Sequence, residues 1–152
     1  MTNDHASAIK AGPSPQPGKK YFTVDEANRA LPYVSRIVAD VIATYGEVAE
    51  LRHQLEADDE ANARSADAER EYQGRMDRLS SLVDELQGAG VELKDFEKGL
   101  IDFPAVFEGR EVLLCWHQGE TTVSHWHELD AGFAGRQSVE LLKESADESS
   151  AS

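Results

Sequence analysis

Residues 99–137 of this 152-residue chain read GLIDFPAVFEGREVLLCWHQGETTVSHWHELDAGFAGRQ, and this stretch decides the fold. Short apolar runs alternate here with glycine-containing turns, a pattern typical of β-strands joined by hairpins. Together with the alternating run just before it, the stretch predicts strands over residues 91–94, 100–106, 111–117 and 122–128. The β region, residues 91–139, is therefore expected to form a small antiparallel β-meander. It also holds both tryptophans, the only cysteine and three of the five histidines, so any chemistry is expected here.

The residues before the β region carry helical signals. Thr23 and Glu26 make a capping box, which predicts a helix that begins at Val24. Apolar side chains then recur in alternating steps of three and four, as in a heptad seam: Val24, Ala27, Leu31, Val34, Val38, Val41, Tyr45 and Val48. Pro32 lies inside this run and removes one helical hydrogen bond. We therefore expect the helix to kink or restart at Pro32, with a short helix followed by a long one to about Glu56.

A second run repeats the same spacing at Tyr72, Met76, Leu79, Val83 and Leu86. It ends at the glycines of Gly88-Ala89-Gly90, a helix stop signal. The two runs predict a long antiparallel helical hairpin over residues 23–88, and the complete pattern predicts an α+β fold. The seam has two interpretations: the core of a single chain, or a coiled coil that either binds a partner protein or joins two chains in a homodimer.

Composition limits the domain count and the classes of partner. The length fits a single α+β domain over residues 21–142, with a disordered proline-rich tail at residues 1–20 and a disordered acidic tail at residues 143–152. The net charge of −14 disfavours nucleic acid and anionic membranes as partners. Because we find neither a membrane-length apolar run nor a signal peptide, we expect a soluble cytoplasmic protein. Cys115 has no partner for an internal disulfide and is expected to be buried.

Four residues of the β region have side chains that zinc prefers as ligands: Cys115, His117, His125 and His127. A two-residue turn with Gly119 at its first position would place Leu114 opposite His125. In that register Cys115 and His117 lie on one face of the sheet and the other two histidines on the opposite face. The register therefore disfavours a four-ligand site, unless a bulge or a longer loop shifts one strand by one residue.

Two histidines at positions i and i+2 of one strand face can still hold one divalent metal ion, most simply zinc. A third ligand for His125 and His127 would come from Asp102, Glu111 or Asp130. The simpler interpretation is that these histidines are hydrogen-bonded or lie on the surface. Nearby, Gly132 and Gly135 lead into Arg136, and this pattern suits either a carboxylate or phosphate ligand or a tight turn whose arginine pairs with Glu120 or Asp102.

The chain resembles the bacterial DUF2203 family of uncharacterised proteins. The resemblance rests on YFTVDEANRALPYV at residues 21–34, GLIDFPA at 99–105, GREVLLCW at 109–116, and GE, WH and GFAGRQ farther on. It implies a helical hairpin followed by a small β region, but no established activity. The residues it implies as shared are Asp102, Arg110, Trp116, Glu120, Trp126, His127, Arg136 and Gln137. Because His117 and His125 are not part of that pattern, the resemblance favours His127 as the single functional histidine.

We combine these observations in two functional hypotheses. The first is a non-enzymatic protein that self-associates as a homodimer and offers one surface to a protein partner or a small anionic ligand. The candidate residues of that surface are Asp102, Glu120, Trp126, His127, Arg136 and Gln137. The alternative is a metal-dependent, hydrolase-like enzyme in which His127 with Asp102 or Glu120 binds the metal and Arg136 orients the substrate.

Overall fold

The computed structural model describes residues 13–57, 62–140 and Leu142, and it contains two helices followed by an antiparallel sheet. The helices are α1 (Val24–Ala57) and α2 (Asn62–Gly88). The strands are β1 (Glu92–Asp95), β2 (Leu100–Phe107), β3 (Arg110–His117), β4 (His125–Glu128) and β5 (Gln137–Ser138), and a short 3₁₀ helix (Phe133–Gly135) precedes β5. The five strands pair in sequence order, so the predicted α+β fold with a helical hairpin and a β-meander is confirmed.

The predicted capping box starts α1. The backbone N–H of Thr23 donates to the Glu26 carboxylate at 2.9 Å, and the N–H of Glu26 donates to the Thr23 hydroxyl at 3.0 Å. These two bonds satisfy N–H groups that have no partner within the helix. The helix accordingly begins at Val24, as predicted.

Pro32 does not divide α1. The helix is continuous from Val24 to Ala57, so the expected sequence of a short helix and a separate long one is wrong. The proline ring faces solvent, while its neighbours Leu31 and Val34 are buried in the core. Apolar packing on both sides of the proline holds the helix together across the missing hydrogen bond.

The predicted seam of α1 is buried within the single chain. Its buried members are Ala27, Leu31, Val34, Val38, Val41 and Val48, and they share one core with α2 and the sheet. This is the intramolecular interpretation of the heptad spacing. Self-association remains a prediction, but a dimer would have to use a surface other than this seam.

Gly99 sets how closely the sheet approaches α1. Its φ is +68°, and a Cβ atom at this position would lie 2.7 Å from side-chain atoms of both Val38 and Ile42. Only glycine accommodates both the left-handed backbone and this contact. The approach places the apolar face of the sheet directly on the helix.

The two faces of the sheet differ in chemistry. The face toward the helices carries apolar residues of the core: Ile101, Phe103, Ala105, Val112, Leu114, Trp116 and Trp126. We call the opposite side the outer face, and its residues are Asp102, Pro104, Glu111, Leu113, Cys115, His117, His125 and His127. The potential ligand side chains of the β region therefore lie on the face away from the helical hairpin.

The register between β3 and β4 differs from the predicted one by one residue. Cys115 pairs with His125, and Leu113 pairs with His127. The two-residue turn was wrong: the N–H of Glu120 donates to the His117 carbonyl at 3.1 Å, which places Gly119 (φ +104°) third in the turn, and the connection continues to residue 124. Because side chains alternate along a strand, the shift moves Cys115 onto the face of the two histidines.

Residues 13–20 were expected to belong to a disordered tail, but they make hydrogen bonds with the sheet. The Pro13 carbonyl accepts from the N–H of Glu111, and the Lys19 ammonium contacts the Glu111 carboxylate. Residues 1–12 and the acidic tail at 143–152 lie outside the described residues. Neither helix in the described part of the chain is long and apolar enough to cross a bilayer.

Candidate functional site

Three adjacent strands each contribute one potential ligand to the outer face. Asp102 comes from β2, Cys115 from β3 and His127 from β4. One ligand atom from each residue lies within 4.8 Å of the other two, and no residue of the three is more than 4% exposed. The sheet pairing builds this cluster because Asp102 is directly opposite Cys115 and His127 lies two pairs farther along, opposite Leu113.

Hydrogen bonding orients the imidazole of His127. Its Nδ1 lies 2.7 Å from the carbonyl oxygen of Glu128. Because a carbonyl only accepts, Nδ1 must carry a proton and donate it. The other nitrogen, Nε2, lies 3.2 Å from Oδ1 of Asp102. This is the arrangement that metal-binding histidines use, with one ring nitrogen held by a carbonyl and the other directed at the site.

Burial raises the pKa values of the other two residues of the cluster, Asp102 and Cys115. For Asp102, the nearby His127 lowers the pKa, but the effect of burial is larger. Burial raises the pKa of the Cys115 thiol to about 12, with a further contribution from the charge of Asp102. The thiol is therefore neutral at physiological pH and a poor nucleophile, since the thiolate is the reactive form.

A second polar cluster lies beside the first and is centred on Glu120. One nitrogen of Arg136, Nη2, donates to both carboxylate oxygens of Glu120 at 2.7 and 2.8 Å, and the backbone N–H of His117 donates to the same carboxylate at 3.0 Å. Burial by itself raises the pKa of Glu120, but these bonds outweigh it and hold the pKa below its usual value. The tight-turn interpretation, in which Arg136 pairs with a nearby acid, matches this geometry.

The structure groups some of the predicted surface residues and separates others. Asp102 and His127 meet, and Glu120 and Arg136 meet next to them. Trp126 instead packs on the helix-facing side with its ring 5.2 Å from that of Phe107, and no partner for its indole N–H is found among the described residues. Gln137 is exposed on β5, opposite Trp126.

The metal ligands predicted from sequence were His125, His127 and Asp102. His125 lies on the outer face, but its Nδ1 is 2.9 Å from the Ser124 hydroxyl and 3.8 Å from the Glu120 carboxylate. The residue that completes the group with Asp102 and His127 is Cys115. Sequence reasoning placed Cys115 on the wrong face because the length of the β3–β4 connection was wrong.

The three donor atoms suit a tetrahedral metal ion. Zinc binds cysteine sulfur, histidine nitrogen and aspartate oxygen, and two ligands about 2.1 Å from a tetrahedral ion lie about 3.4 Å apart. The observed separation of 3.2 Å between the His127 nitrogen and the Asp102 oxygen is close to that value. Three protein ligands would leave one coordination position for water or another small ligand.

Comparison with known proteins identifies the family. No curated protein and no solved structure gives a significant match to the chain. The family described as an uncharacterized conserved protein (DUF2203) matches residues 20–139, which include both helices and all five strands. The chain therefore belongs to the DUF2203 family of uncharacterized conserved proteins.

Proposed function

We propose that this protein is a non-enzymatic metal-binding protein that holds one zinc-like ion through Asp102, Cys115 and His127. The observation that carries the proposal is the convergence of one sulfur, one nitrogen and one oxygen donor within 4.8 Å in a buried place. The orientation of His127, with its second nitrogen held by the Glu128 carbonyl, supports the same conclusion.

The donor set favours zinc and related transition metals over other common ions. Calcium and magnesium take six or more oxygen ligands, whereas thiolate and imidazole suit borderline and soft ions. Only one of the three donors is an oxygen. A mixed sulfur, nitrogen and oxygen site with three protein ligands therefore fits zinc best.

Burial favours binding over catalysis. The three residues are at most 4% exposed, so a substrate would not reach the ion without a movement of the chain. Cys115 is also unsuited to nucleophilic attack because its thiol stays protonated. A hydrolase needs an accessible open coordination position, and the buried site supports a bound ion more directly.

The test is metal titration of protein that is purified without an affinity tag and stripped with a chelator. We expect about one zinc per chain, and the cobalt-loaded protein should show a thiolate-to-metal charge-transfer absorption. Cys115→Ser should lose that absorption, and His127→Ala should lose stoichiometric binding. His53→Ala, on the exposed side of α1, is the matched control and should bind as the original chain does.

A further variant tests whether the third ligand is Cys115, as in the structure, or His125, as predicted from sequence. His125→Ala removes a histidine that lies outside the three-residue group, so it should retain zinc. Loss of zinc from His125→Ala together with retention in Cys115→Ser would overturn the proposed ligand set. Absence of stoichiometric uptake of zinc, cobalt or nickel by the original chain would overturn the function itself.

Two earlier expectations belong to the same proposal. A cytoplasmic location agrees with it, because a metal-binding thiol must stay reduced. Self-association as a dimer would have to use surface outside the seam, where the exposed large apolar side chains of the described residues are those of Tyr33, Val106 and Leu129. Light scattering at micromolar concentration tests the dimer, and a molecular mass equal to that of one chain would exclude it.

A further inference from the structure

Residues 13–22, which we call the N-terminal strap, connect the backbones of two adjacent strands. At one end, the Pro13 carbonyl accepts from the N–H of Glu111 on β3 at 2.8 Å. At the other end, the N–H of Phe22 donates to the Pro104 carbonyl on β2 at 2.7 Å. The strap contains no helix or strand, and most of its residues are exposed.

The strap is fastened between its ends to one carboxylate. The Lys19 ammonium lies 2.6 Å from Oε2 of Glu111, and the Tyr21 hydroxyl donates to Oε1 at 2.8 Å. The backbone N–H of Gln16 in turn donates to the Tyr21 oxygen at 2.8 Å. Glu111 itself is only 3% exposed, so the strap covers it.

Glu111 belongs to the same sheet face as the proposed metal ligands. It lies on β3 two residues before Leu113 and four before Cys115, so the three side chains point to the outer face. Pro104 is likewise two residues from Asp102 on β2. Since Leu113 pairs with His127, the strap crosses the outer face beside the metal site.

We propose that the N-terminal strap is a removable cover of the metal-binding face and that its bonds to Glu111 set how fast a zinc ion enters and leaves. The inference rests on the proposed function. On the outer face the strap is bonded to Glu111 and Pro104, and the neighbouring Asp102, Leu113 and His127 are almost completely buried. Phe22, at the C-terminal end of the strap, is anchored in the core against Phe103. Residues 13–21 are held to the sheet by a few polar contacts, and such a segment opens at a lower free-energy cost than the core does.

A segment that covers the site affects metal binding differently from a residue that binds the metal. Opening changes the rates of entry and exit by the same factor, so the equilibrium affinity stays constant. Loss of a ligand lowers the affinity instead. The rate of metal transfer and the dissociation constant, measured on the same variants, therefore separate the two roles.

The double variant Lys19→Met/Tyr21→Phe removes both side-chain bonds to Glu111 and keeps the side-chain sizes. Lys98→Met is the matched control, because Lys98 is exposed and lies outside the strap. The first measurement is the transfer of zinc from loaded protein to an excess chelator. We expect the double variant to release zinc at least about tenfold faster, because the loss of even one charge-assisted hydrogen bond corresponds to about that factor, with a dissociation constant within about twofold of the original.

The second measurement uses the only cysteine of the chain as a reporter in metal-free protein. Cys115 is buried, so its reaction with an aromatic disulfide reagent requires opening of its surroundings. We expect the double variant to react at least about tenfold faster, and Lys98→Met to react as the original chain does. Unchanged rates in both measurements would overturn the inference.

The two measurements distinguish a failure of the cover proposal from a failure of the metal-binding proposal. Faster thiol reaction in a chain that binds no zinc would support the cover and overturn the metal-binding function. Stoichiometric zinc with unchanged release and thiol rates would support the function and overturn the cover. A lowered zinc affinity in the double variant would also overturn it, because the strap would then help to form the site itself.

Discussion

Nε2 of His127 lies 3.2 Å from Oδ1 of Asp102, although the two residues stand on strands that are separated by β3. Both side chains reach across the intervening strand on its outer face and meet close to Cys115. The contact depends on the β3–β4 register, because a shift by one residue would turn His127 to the helix-facing side. The proposed metal site is thus a consequence of how β4 aligns with its neighbour.

The proposed site predicts that zinc affinity rises with pH. Zinc binds the thiolate, and burial keeps the Cys115 thiol protonated in the metal-free protein by raising its pKa to about 12. Binding must therefore release this proton, and the affinity should increase about tenfold per pH unit between about pH 7 and 9. Competition with a chelator of known affinity measures the slope. The same slope in Cys115→Ser would contradict the assignment of the sulfur ligand.

Loss of the histidine should destabilise the metal-free fold. His127→Ala leaves the Asp102 carboxyl buried without its partner, and we expect a loss of about 2–4 kcal/mol in the free energy of unfolding. His125→Ala removes a half-exposed histidine of the same strand and should cost less than about 1 kcal/mol. Urea denaturation of chelator-treated protein measures both. Equal effects of the two variants would contradict the importance of the buried pair.

The Glu120–Arg136 pair should stabilise the protein in a pH-dependent way. The folded pKa of Glu120 lies below its usual value of 4.5, so its contribution is present above that value and is lost as the pH falls through the folded pKa. Glu120→Gln should lower the free energy of unfolding by about 1–3 kcal/mol at pH 7 and by less in acid. Denaturation at the two pH values tests this. Glu50→Gln, on the exposed side of α1, should change little at either pH.

Two glycine substitutions separate packing from backbone strain. Gly99→Ala places a methyl group against Val38 and Ile42 at a positive φ and should cost about 2–4 kcal/mol. Gly109→Ala has a similar φ of +77° but meets no atom within 4 Å, so strain alone should cost about 1 kcal/mol. Thermal and urea denaturation compare the two. A smaller loss for Gly99→Ala than for Gly109→Ala would contradict the close approach of sheet and helix.

Most of the architecture was predictable from local patterns. The apolar spacing identified both helices, the capping box of Thr23 and Glu26 located the start of α1, and alternation located the first four strands. β5 was missed because two residues are too few for a recognisable alternation. The expected restart as a second helix at Pro32 was wrong because propensity describes an isolated helix, whereas packing of Leu31 and Val34 stabilises this one.

By itself, the sequence determined the order and type of the elements, since helical and strand periodicity are properties of consecutive residues. It also determined which residues have side chains that can bind a metal ion, including Asp102, Cys115 and His127. Only the tertiary structure decided that these three meet, because their contact requires the pairing of three strands. The length of the turn after His117 sets that pairing, and a change of one residue there moves Cys115 from one face of the sheet to the other.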